Sequence, residues 1–181
     1  MQNKYMSKEQ RLTVVYLRRG KEESLERCHP WIFSGAIERI TEGLKPLSEG
    51  DIVDVYTKQG NFIARGHYQI GSIAVRVLSF EEESIDQAWW NRRIAAAKAL
   101  RESLGMVDNA QTSCYRLIHG EGDLLPGLVV DIYERTAVVQ CHSVGMYHSR
   151  SQIAEAIREA YGDRIEAIYD KSSQTLPYKA E

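Results

Sequence analysis

The chain has little of what builds disulfide-rich or membrane-spanning proteins. Its 181 residues include three cysteines, Cys28, Cys114 and Cys141, an odd number without CxxC spacing, which argues against a disulfide framework and a structural zinc site. No apolar run approaches the roughly 18 residues that span a bilayer, and the first ten residues lack the apolar stretch of a signal peptide. We therefore expect a cytoplasmic protein with no membrane partner and with reduced, mostly buried thiols.

The sequence also lacks the short motifs of several enzyme classes. It contains no GxGxxG, P-loop, GxSxG or HExxH pattern, so dinucleotide binding, phosphate cradling, serine hydrolysis and zinc proteolysis lack their minimal residues. The five histidines never stand at i and i+4 on a predicted helix or beside a cysteine pair. We therefore predict no metal site.

What is present is a globular composition, with 43% hydrophobic residues and an uneven distribution of charge. Residues 11–80 carry ten Lys or Arg against eight Asp or Glu, a net charge of +2, whereas residues 82–181 carry eleven against fifteen, a net charge of −4. A mildly basic first half is compatible with nucleic-acid binding, but this excess is too small to indicate it alone.

The first half reads as a series of short strands with one short helix. A tail of residues 1–10 precedes a strand at 12–17, a helix at 22–27 that Pro30 ends, and an extended stretch at 29–40. Three further strand-like runs follow at 51–56, 62–69 and 73–80, separated by turn signals. This pattern predicts a small β-barrel over residues 11–80.

The second half, residues 82–181, reads as a compact α+β domain of strands with two helices on one face. A capping box at Ser84 and Gln87 opens a helix that runs to about Leu104. Strands follow at 114–118, 128–133 and 137–141, then a helix at 147–161 and a strand at 165–169. The apolar stripe of the first helix assigns a set of residues to the core: Ile85, Trp89, Ala96, Leu100 and Leu104.

Two groups of residues invite a catalytic interpretation. Glu121, Asp123 and Asp131 could form a general acid and base pair, but no electrophile or cofactor site is identifiable nearby, so we favour loop-stabilising hydrogen bonds. Cys28, between Arg27 and His29, could be a nucleophile, or it could have a structural role as a small residue packed at a helix end.

A turn is predicted next to the acidic loop. Pro126 and Gly127 predict a type II turn there.

A third group indicates RNA binding. Cations cluster near the end of the first strand and the short helix, and further polar residues lie on a later strand: Arg18, Arg19, Lys21, Arg27 and His29, then Arg65, His67 and Tyr68. Cations contact phosphates, while aromatic rings and arginine planes stack on exposed bases. We expect the cations to contact RNA, and we assign the interleaved Trp31 and Phe33 to the core.

Two segments carry a resemblance to a known family. HPWIFSGAI at 29–37 and GEGDLLPGLVVD at 120–131 resemble the signature stretches of bacterial ribosomal RNA large-subunit methyltransferases that have an N-terminal PUA domain. The resemblance covers about residues 11–181. The signature positions are Pro30, Trp31, Phe33, Gly35, Glu121, Asp123, Pro126, Gly127 and Asp131. It implies an RNA-binding PUA β-barrel followed by a central α+β domain.

The resemblance also implies a function and its limits. The family transfers a methyl group from S-adenosylmethionine to C5 of cytosine in 23S ribosomal RNA, using a further Rossmann-like domain that holds the methyl donor and the catalytic cysteines. We therefore expect ribosomal RNA as a partner, no cofactor in this chain, and no catalytic residue among its three cysteines. The loop at 121–127 is expected to fix the shape of the central domain.

Other hypotheses stay open at the level of sequence. The chain could be a standalone RNA-binding adaptor that recruits a protein partner through its acidic second half. It could also be a small cysteine-dependent enzyme built around Cys28. Pairing with a second copy of the chain, as a homodimer, is neither indicated nor excluded.

Overall fold

The computed structural model describes residues 12–176, which divide into two compact units at Glu82 and Glu83. The tail expected at residues 1–10 lies outside the described residues, as do Arg11 and the last five residues. Both units combine strands with helices, so the α+β class is confirmed. Within residues 12–176 no helix is both long enough and apolar enough to cross a membrane.

The first unit is a six-stranded sheet with one short helix. Its strands lie close to the predicted runs, and their order across the sheet is β2-β6-β5-β4-β1-β3. In chain order the elements are β1 (Thr13–Leu17), α1 (Glu23–Glu26), β2 (Trp31–Phe33), β3 (Ile37–Thr41), β4 (Ile52–Tyr56), β5 (Phe62–Tyr68) and β6 (Ile73–Ser79).

This sheet is curled, and the connection between its two edge strands shows why. β2 and β3 lie at opposite edges, yet only the 3-10 turn Ser34–Ala36 joins them. Three residues span about 10 Å at most, so the two edges have to approach each other. No ladder pairs β2 with β3 in the described chain. The closed barrel expected from the sequence is therefore a half-barrel, whose concave side holds the buried residues.

Alternation along the strands builds the core of this unit. In β1, Val15 and Leu17 are fully buried while Val14 and Tyr16 are half-exposed, as a strand with one covered face requires. The same core takes Ile32 from β2. β2 therefore turns Ile32 inward and its two aromatic neighbours the other way.

The second unit contains a four-stranded sheet in the order β10-β9-β8-β7, in which β10 runs parallel to β9 and the other pairs are antiparallel. The helix expected at 147–161 is two helices, α3 and α4, because the chain breaks at Ser149. The elements are α2 (Gln87–Ser103), β7 (Cys114–His119), β8 (Leu128–Tyr133), β9 (Thr136–Cys141), α3 (Val144–His148), α4 (Arg150–Tyr161) and β10 (Ala167–Asp170).

Helix α2 differs from its prediction at its cap and along its buried face. Its N-cap is Asp86, whose Oδ1 accepts the backbone N–H of Trp89 at 2.9 Å, and Ser84 has no part in the cap. Trp89 is buried as expected. The other buried positions are Trp90, Ile94, Ala97 and Arg101, whereas Ala96, Leu100 and Leu104 are exposed and Ile85 is half-buried.

The difference between the predicted and the observed buried face of α2 has a physical reason. The true stripe ends at Arg101, a charged residue that an apolar pattern does not count. Its guanidinium is neutralised by Asp123, so it occupies a core position that would otherwise need an apolar side chain.

Replacing the cap residue tests this description of α2. In Asp86→Ala the free energy of unfolding should fall by about 1 kcal/mol, because the Trp89 N–H loses its acceptor at the helix start. Ser84→Ala is the matched control and should leave it unchanged. Urea unfolding, followed by far-ultraviolet circular dichroism, measures both. Equal losses in the two variants would restore Ser84 as a capping residue.

Candidate nucleic-acid interface

A basic loop follows the buried strand β1. Arg18, Arg19 and Lys21 are all exposed in this loop. Arg18 is fixed in place, because its backbone N–H donates to the carbonyl of Ala36 at 2.9 Å and its Nε to the carbonyl of Ile37 at 3.0 Å. The loop therefore presents three positive charges beside the turn that joins β2 to β3.

A second basic group lies at the end of helix α1. Arg27 is its C-cap residue and is exposed, as is His29 two positions on. The backbone N–H of His29 donates to the carbonyl of Ser24 at 3.0 Å, which folds the chain back on the helix. The structure thus places Arg27 and His29 at the start of the segment that enters β2.

The exposed cations of these two groups are not neutralised by salt bridges. No carboxylate of residues 12–176 forms an ion pair with Arg18, Arg19, Lys21 or Arg27. The same stretch, residues 18–29, also carries three glutamates, so its net charge is four minus three, or +1. A net charge this small gives no strong overall field, so the placement of the individual cations is the feature of this surface that matters for an anionic ligand.

The two aromatic residues of β2 lie at the surface, which corrects their assignment to the core. Phe33 is 49% exposed and Trp31 is half-buried, while Ile32 between them is fully covered. His29, Trp31 and Phe33 form a row of edge-to-face contacts, with ring centroids 5.8 and 6.4 Å apart. The residue of β2 that enters the core is Ile32, which lies between the two aromatic residues.

The three later candidates do not join this surface. Arg65 is buried and pairs with Asp54, its Nε lying 2.6 Å from one carboxylate oxygen and its second terminal nitrogen 3.1 Å from the other. His67 is buried as well, and Tyr68 packs against the core of the first unit. A phosphate cannot reach a buried, paired guanidinium, so we withdraw Arg65 as an RNA contact, and burial withdraws His67. Tyr68 is half-buried, and its contact with RNA stays a prediction.

In the second unit, the loop after β7 is clamped by two arginines of α2. Both terminal nitrogens of Arg101 donate to the Asp123 carboxylate, which also accepts the backbone N–H of His119 at 2.6 Å. Arg93 donates to the backbone carbonyl of Asp123 at 3.0 Å. This loop is accordingly ordered as a short 3-10 helix, Gly120–Asp123, and not as a flexible glycine-rich segment.

The proline-glycine turn that follows has the expected geometry. The backbone N–H of Leu128 donates to the carbonyl of Leu125 at 3.0 Å and closes the four-residue turn. Gly127 has a φ of +89°, the positive value that the third position of a type II turn requires. Pro126 is buried at the second position. The loop and the turn together set the entry of β8.

The third carboxylate, Asp131, pairs with Arg116 across the β7–β8 ladder. Its oxygens lie 2.7 and 3.0 Å from Nε and the second terminal nitrogen of Arg116. Glu121 is exposed on the clamped loop. Because Asp123 and Asp131 are each held by two hydrogen bonds from an arginine, the geometry favours structural ion pairs over a general acid and base pair.

An open cavity of about 930 Å³ lies beside these ion pairs. Its polar lining includes Arg116, His119 and Asp131, and its apolar lining comes from the end of α2 and from β8. The exposed apolar side chains there are Leu100, Leu104, Met106 and Tyr133. Leu100 and Leu104 are among the predicted core residues of α2 that the observed buried face leaves exposed.

The thiols differ from the expectation that they are mostly buried. Cys28 and Cys114 are exposed and only Cys141 is buried. Cys28 has a φ of +59°, the left-handed conformation usual for glycine after a helix. The Nδ1 atom of His29 accepts the backbone N–H of Trp31 at 3.2 Å, so it is not positioned as a base for Cys28. Cys28 thus has neither a packed site nor an activating partner at that nitrogen.

Among the described residues, α2 and α3 lack a glycine-rich start and no cluster of metal ligands is present. Helix α2 follows an acidic segment, and α3 follows β9 through His142 and Ser143, so neither begins at a glycine-rich loop of the kind that cradles a dinucleotide. Among residues 12–176, no three His, Cys, Asp or Glu side chains are grouped so that they could hold a metal ion.

Replacing Asp123 and Asp131 one at a time compares how much a buried and a more exposed ion pair contribute to stability. Arg101 and Asp123 have side chains 10% and 6% exposed, against 46% and 17% for Arg116 and Asp131. In Asp123→Ala a buried guanidinium loses its counter-charge, and unfolding should become easier by about 3–5 kcal/mol. The matched Asp131→Ala should cost below about 1 kcal/mol. Urea unfolding of the two variants measures this, and a smaller loss for Asp123→Ala would contradict the clamp.

Alkylation with iodoacetamide near pH 8 tests the three thiols. Burial raises the pKa of the Cys141 thiol to about 11, so Cys141 should stay unmodified until the chain is unfolded. Cys28 and Cys114, both exposed, should react at similar rates, with Cys114 as the internal reference. Mass spectrometry of the peptides reports each site. If Cys28 reacts many times faster than Cys114, the result supports the hypothesis of a cysteine-dependent enzyme built around Cys28.

Comparison with known proteins agrees with the fold of each unit. Residues 15–80 match the profile of a PUA-like domain. Over 167 residues, 91% of the chain, the sequence is 39% identical to the ribosomal RNA large subunit methyltransferase I of Erwinia tasmaniensis. Over 169 residues, 92% of the chain, it is 40% identical to the protein of the same name from Photobacterium profundum. The chain spans 40% and 41% of the lengths of these two relatives.

A solved structure shows the same fold at lower sequence identity. A Streptococcus mutans protein assigned as a SAM-dependent methyltransferase superposes with a TM-score of 0.72 and 18% identity, over 87% of this chain and 40% of its own. A second structure, of a protein assigned as a methyltransferase and complexed with SAH, gives 0.70 and 18% over 93% and 42%. The first unit is thus a PUA-like domain, in a chain whose homologues are ribosomal RNA large subunit methyltransferases.

Proposed function

We propose that this chain is the RNA-binding and substrate-positioning part of a SAM-dependent ribosomal RNA methyltransferase that modifies C5 of cytosine. The names of its homologues and its PUA-like domain support an RNA substrate. The choice of cytosine C5 rests on the resemblance of residues 29–37 and 120–131 to the signature segments of that family.

One observation carries the RNA-binding part of the proposal. Arg18, Arg19, Lys21 and Arg27 project from the PUA-like domain without a carboxylate partner in the described chain, and hydrogen bonds fix the backbone on which they stand. An exposed, unpaired cation can exchange its counterions for a phosphate at little desolvation cost. These four residues are the proposed phosphate contacts, and the exposed imidazole of His29 lies two positions after Arg27 as a further candidate.

The methyl transfer itself is assigned to a part of the protein other than residues 12–176. This assignment is supported by the starts of α2 and α3, which are not glycine-rich loops, and by the chain spanning about 40% of its relatives' lengths. S-adenosylmethionine, when bound elsewhere in such a protein, supplies the methyl group. The residues described here hold the RNA and orient it, and we assign no chemical step to them.

A standalone RNA-binding adaptor is the second candidate. The apolar side chains around the cavity of the second unit favour it, since an exposed apolar patch with a polar rim is typical of a protein-binding surface. Reading the gene beyond the codon of Glu181 distinguishes the two functions. A continuing frame that encodes a glycine-rich donor-binding motif supports the methyltransferase, and a stop codon supports the adaptor.

Removing two of the cations tests RNA binding directly. The double variant Arg18→Ala with Lys21→Ala should bind a short single-stranded RNA more weakly and with a shallower salt dependence, by about 0.7 in the slope of log K against log salt for each lost phosphate contact. Fluorescence anisotropy at several salt concentrations measures both quantities.

The control for this experiment removes the same charge from the same unit. Lys45 and Lys58 are exposed but already paired with Asp51 and Glu38, so Lys45→Ala with Lys58→Ala should leave the slope close to that of the unmodified chain. An unchanged slope in the Arg18 and Lys21 variant, or an equal change in both variants, would remove this loop from the RNA interface.

A further inference from the structure

We propose that His29, Trp31 and Phe33 form a stacking surface for unpaired bases of RNA, and we name this surface the aromatic row. The proposal rests on the proposed function, because it names what the PUA-like domain would recognise in its RNA. It predicts that the domain prefers single-stranded RNA to duplex RNA.

The geometry of β2 exposes the row. β2 is an edge strand whose alternation buries Ile32 and turns Trp31 and Phe33 outward. His29 extends the row, with its ring nearly perpendicular to that of Trp31 at 86°, and Trp31 stands at 89° to Phe33. The contacts run edge to face, and Phe33 at the end of the row is half-exposed.

Leaving such rings in water has a cost that folding does not require. A phenylalanine gains stability when it is buried, and large exposed aromatic side chains grouped together are typical of an interaction surface. The three rings also hold one another in place through their edge contacts, which reduces the entropy that a ligand would have to remove. The aromatic row is therefore a pre-formed apolar surface.

The cations around the row identify its ligand. At the Phe33 end, Arg18 is hydrogen-bonded to Ala36, the last residue of the turn that follows β2, and to Ile37, the first residue of β3. At the His29 end, Arg27 stands two residues before the row. A ligand that spans the row would thus meet positive charge at both of its ends.

Single-stranded RNA has the matching chemistry. Its bases offer flat apolar faces for the rings, while its phosphates follow at regular intervals and pair with cations. In a duplex the base faces are stacked inside the helix, so the rings have no access to them. An acidic peptide would satisfy the cations but has no flat rings to cover the exposed face of Phe33.

The test uses the full chain and two RNA probes of equal length, one single-stranded and one folded as a hairpin duplex. Phe33→Ala should weaken binding of the single strand about tenfold, which corresponds to 1.4 kcal/mol at 25 °C, with the salt slope unchanged. Binding of the duplex should be unaffected. Phe33→Tyr keeps a ring and should bind like the unmodified chain.

Leu44→Ala is the matched control, because Leu44 is an exposed apolar residue of the same unit that lies outside the aromatic row. A 2-aminopurine base in the single strand gives a second readout. Its fluorescence should be quenched on binding to the unmodified chain and to Phe33→Tyr, and less so on binding to Phe33→Ala.

The outcomes separate this proposal from the proposed function. If the unmodified chain binds neither RNA, the proposed function fails. If it binds RNA but Phe33→Ala retains full affinity for the single strand, base stacking is wrong and RNA binding stands. If poly-glutamate displaces the RNA as effectively as unlabelled single-stranded RNA, the surface fits an acidic protein and the proposal is overturned.

Discussion

The three-residue connection Ser34–Ala36 is the constraint on which the first unit depends. It joins the two edge strands of the sheet and therefore forces the sheet to curl. The curl gives the domain one concave, buried side. Arg18 donates to the carbonyl of Ala36 in this connection and to that of Ile37 at the start of β3, so the basic loop is held beside the link between β2 and β3. The candidate RNA surface is a product of this one short link.

The second unit is organised around a different interaction, the ion pair of Arg101 and Asp123. It fills the end of the buried face of α2 with a neutralised charge and fixes the loop at 120–124. Because Arg101 takes the buried position, Leu100 and Leu104 face outward and line the open cavity. The resemblance of this loop to a family signature therefore has a structural explanation that needs no catalytic role for Glu121, Asp123 or Asp131.

Much of the element order could be predicted from the sequence, because strands and turns leave local signals. The runs at 51–56, 62–69 and 73–80 match β4, β5 and β6 to within one or two residues, and the turn at Pro126 and Gly127 has its expected hydrogen bond. The exposure of Arg18, Arg19, Lys21 and Arg27 could be predicted for the same reason, since loops with charged residues tend to lie at the surface.

What could not be predicted depends on long-range contacts. Alternation alone does not say which face of β2 meets the core, so Phe33 was assigned inward although it lies outside. A charged residue such as Arg65 is expected at the surface from the sequence alone. Only the pairing of β5 with β4 brings its side chain against Asp54. The stripe of α2 was misplaced because a neutralised arginine can occupy a core position, which hydrophobicity does not reveal.

The central claim is that the PUA-like unit binds single-stranded RNA through one continuous stretch of its surface. Amide chemical-shift mapping during a titration with single-stranded RNA tests it most directly. The account predicts that the shifted amides cluster at residues 18–21 and 27–37. Shifts confined to residues 83–176, or no shifts at saturating RNA, would contradict it.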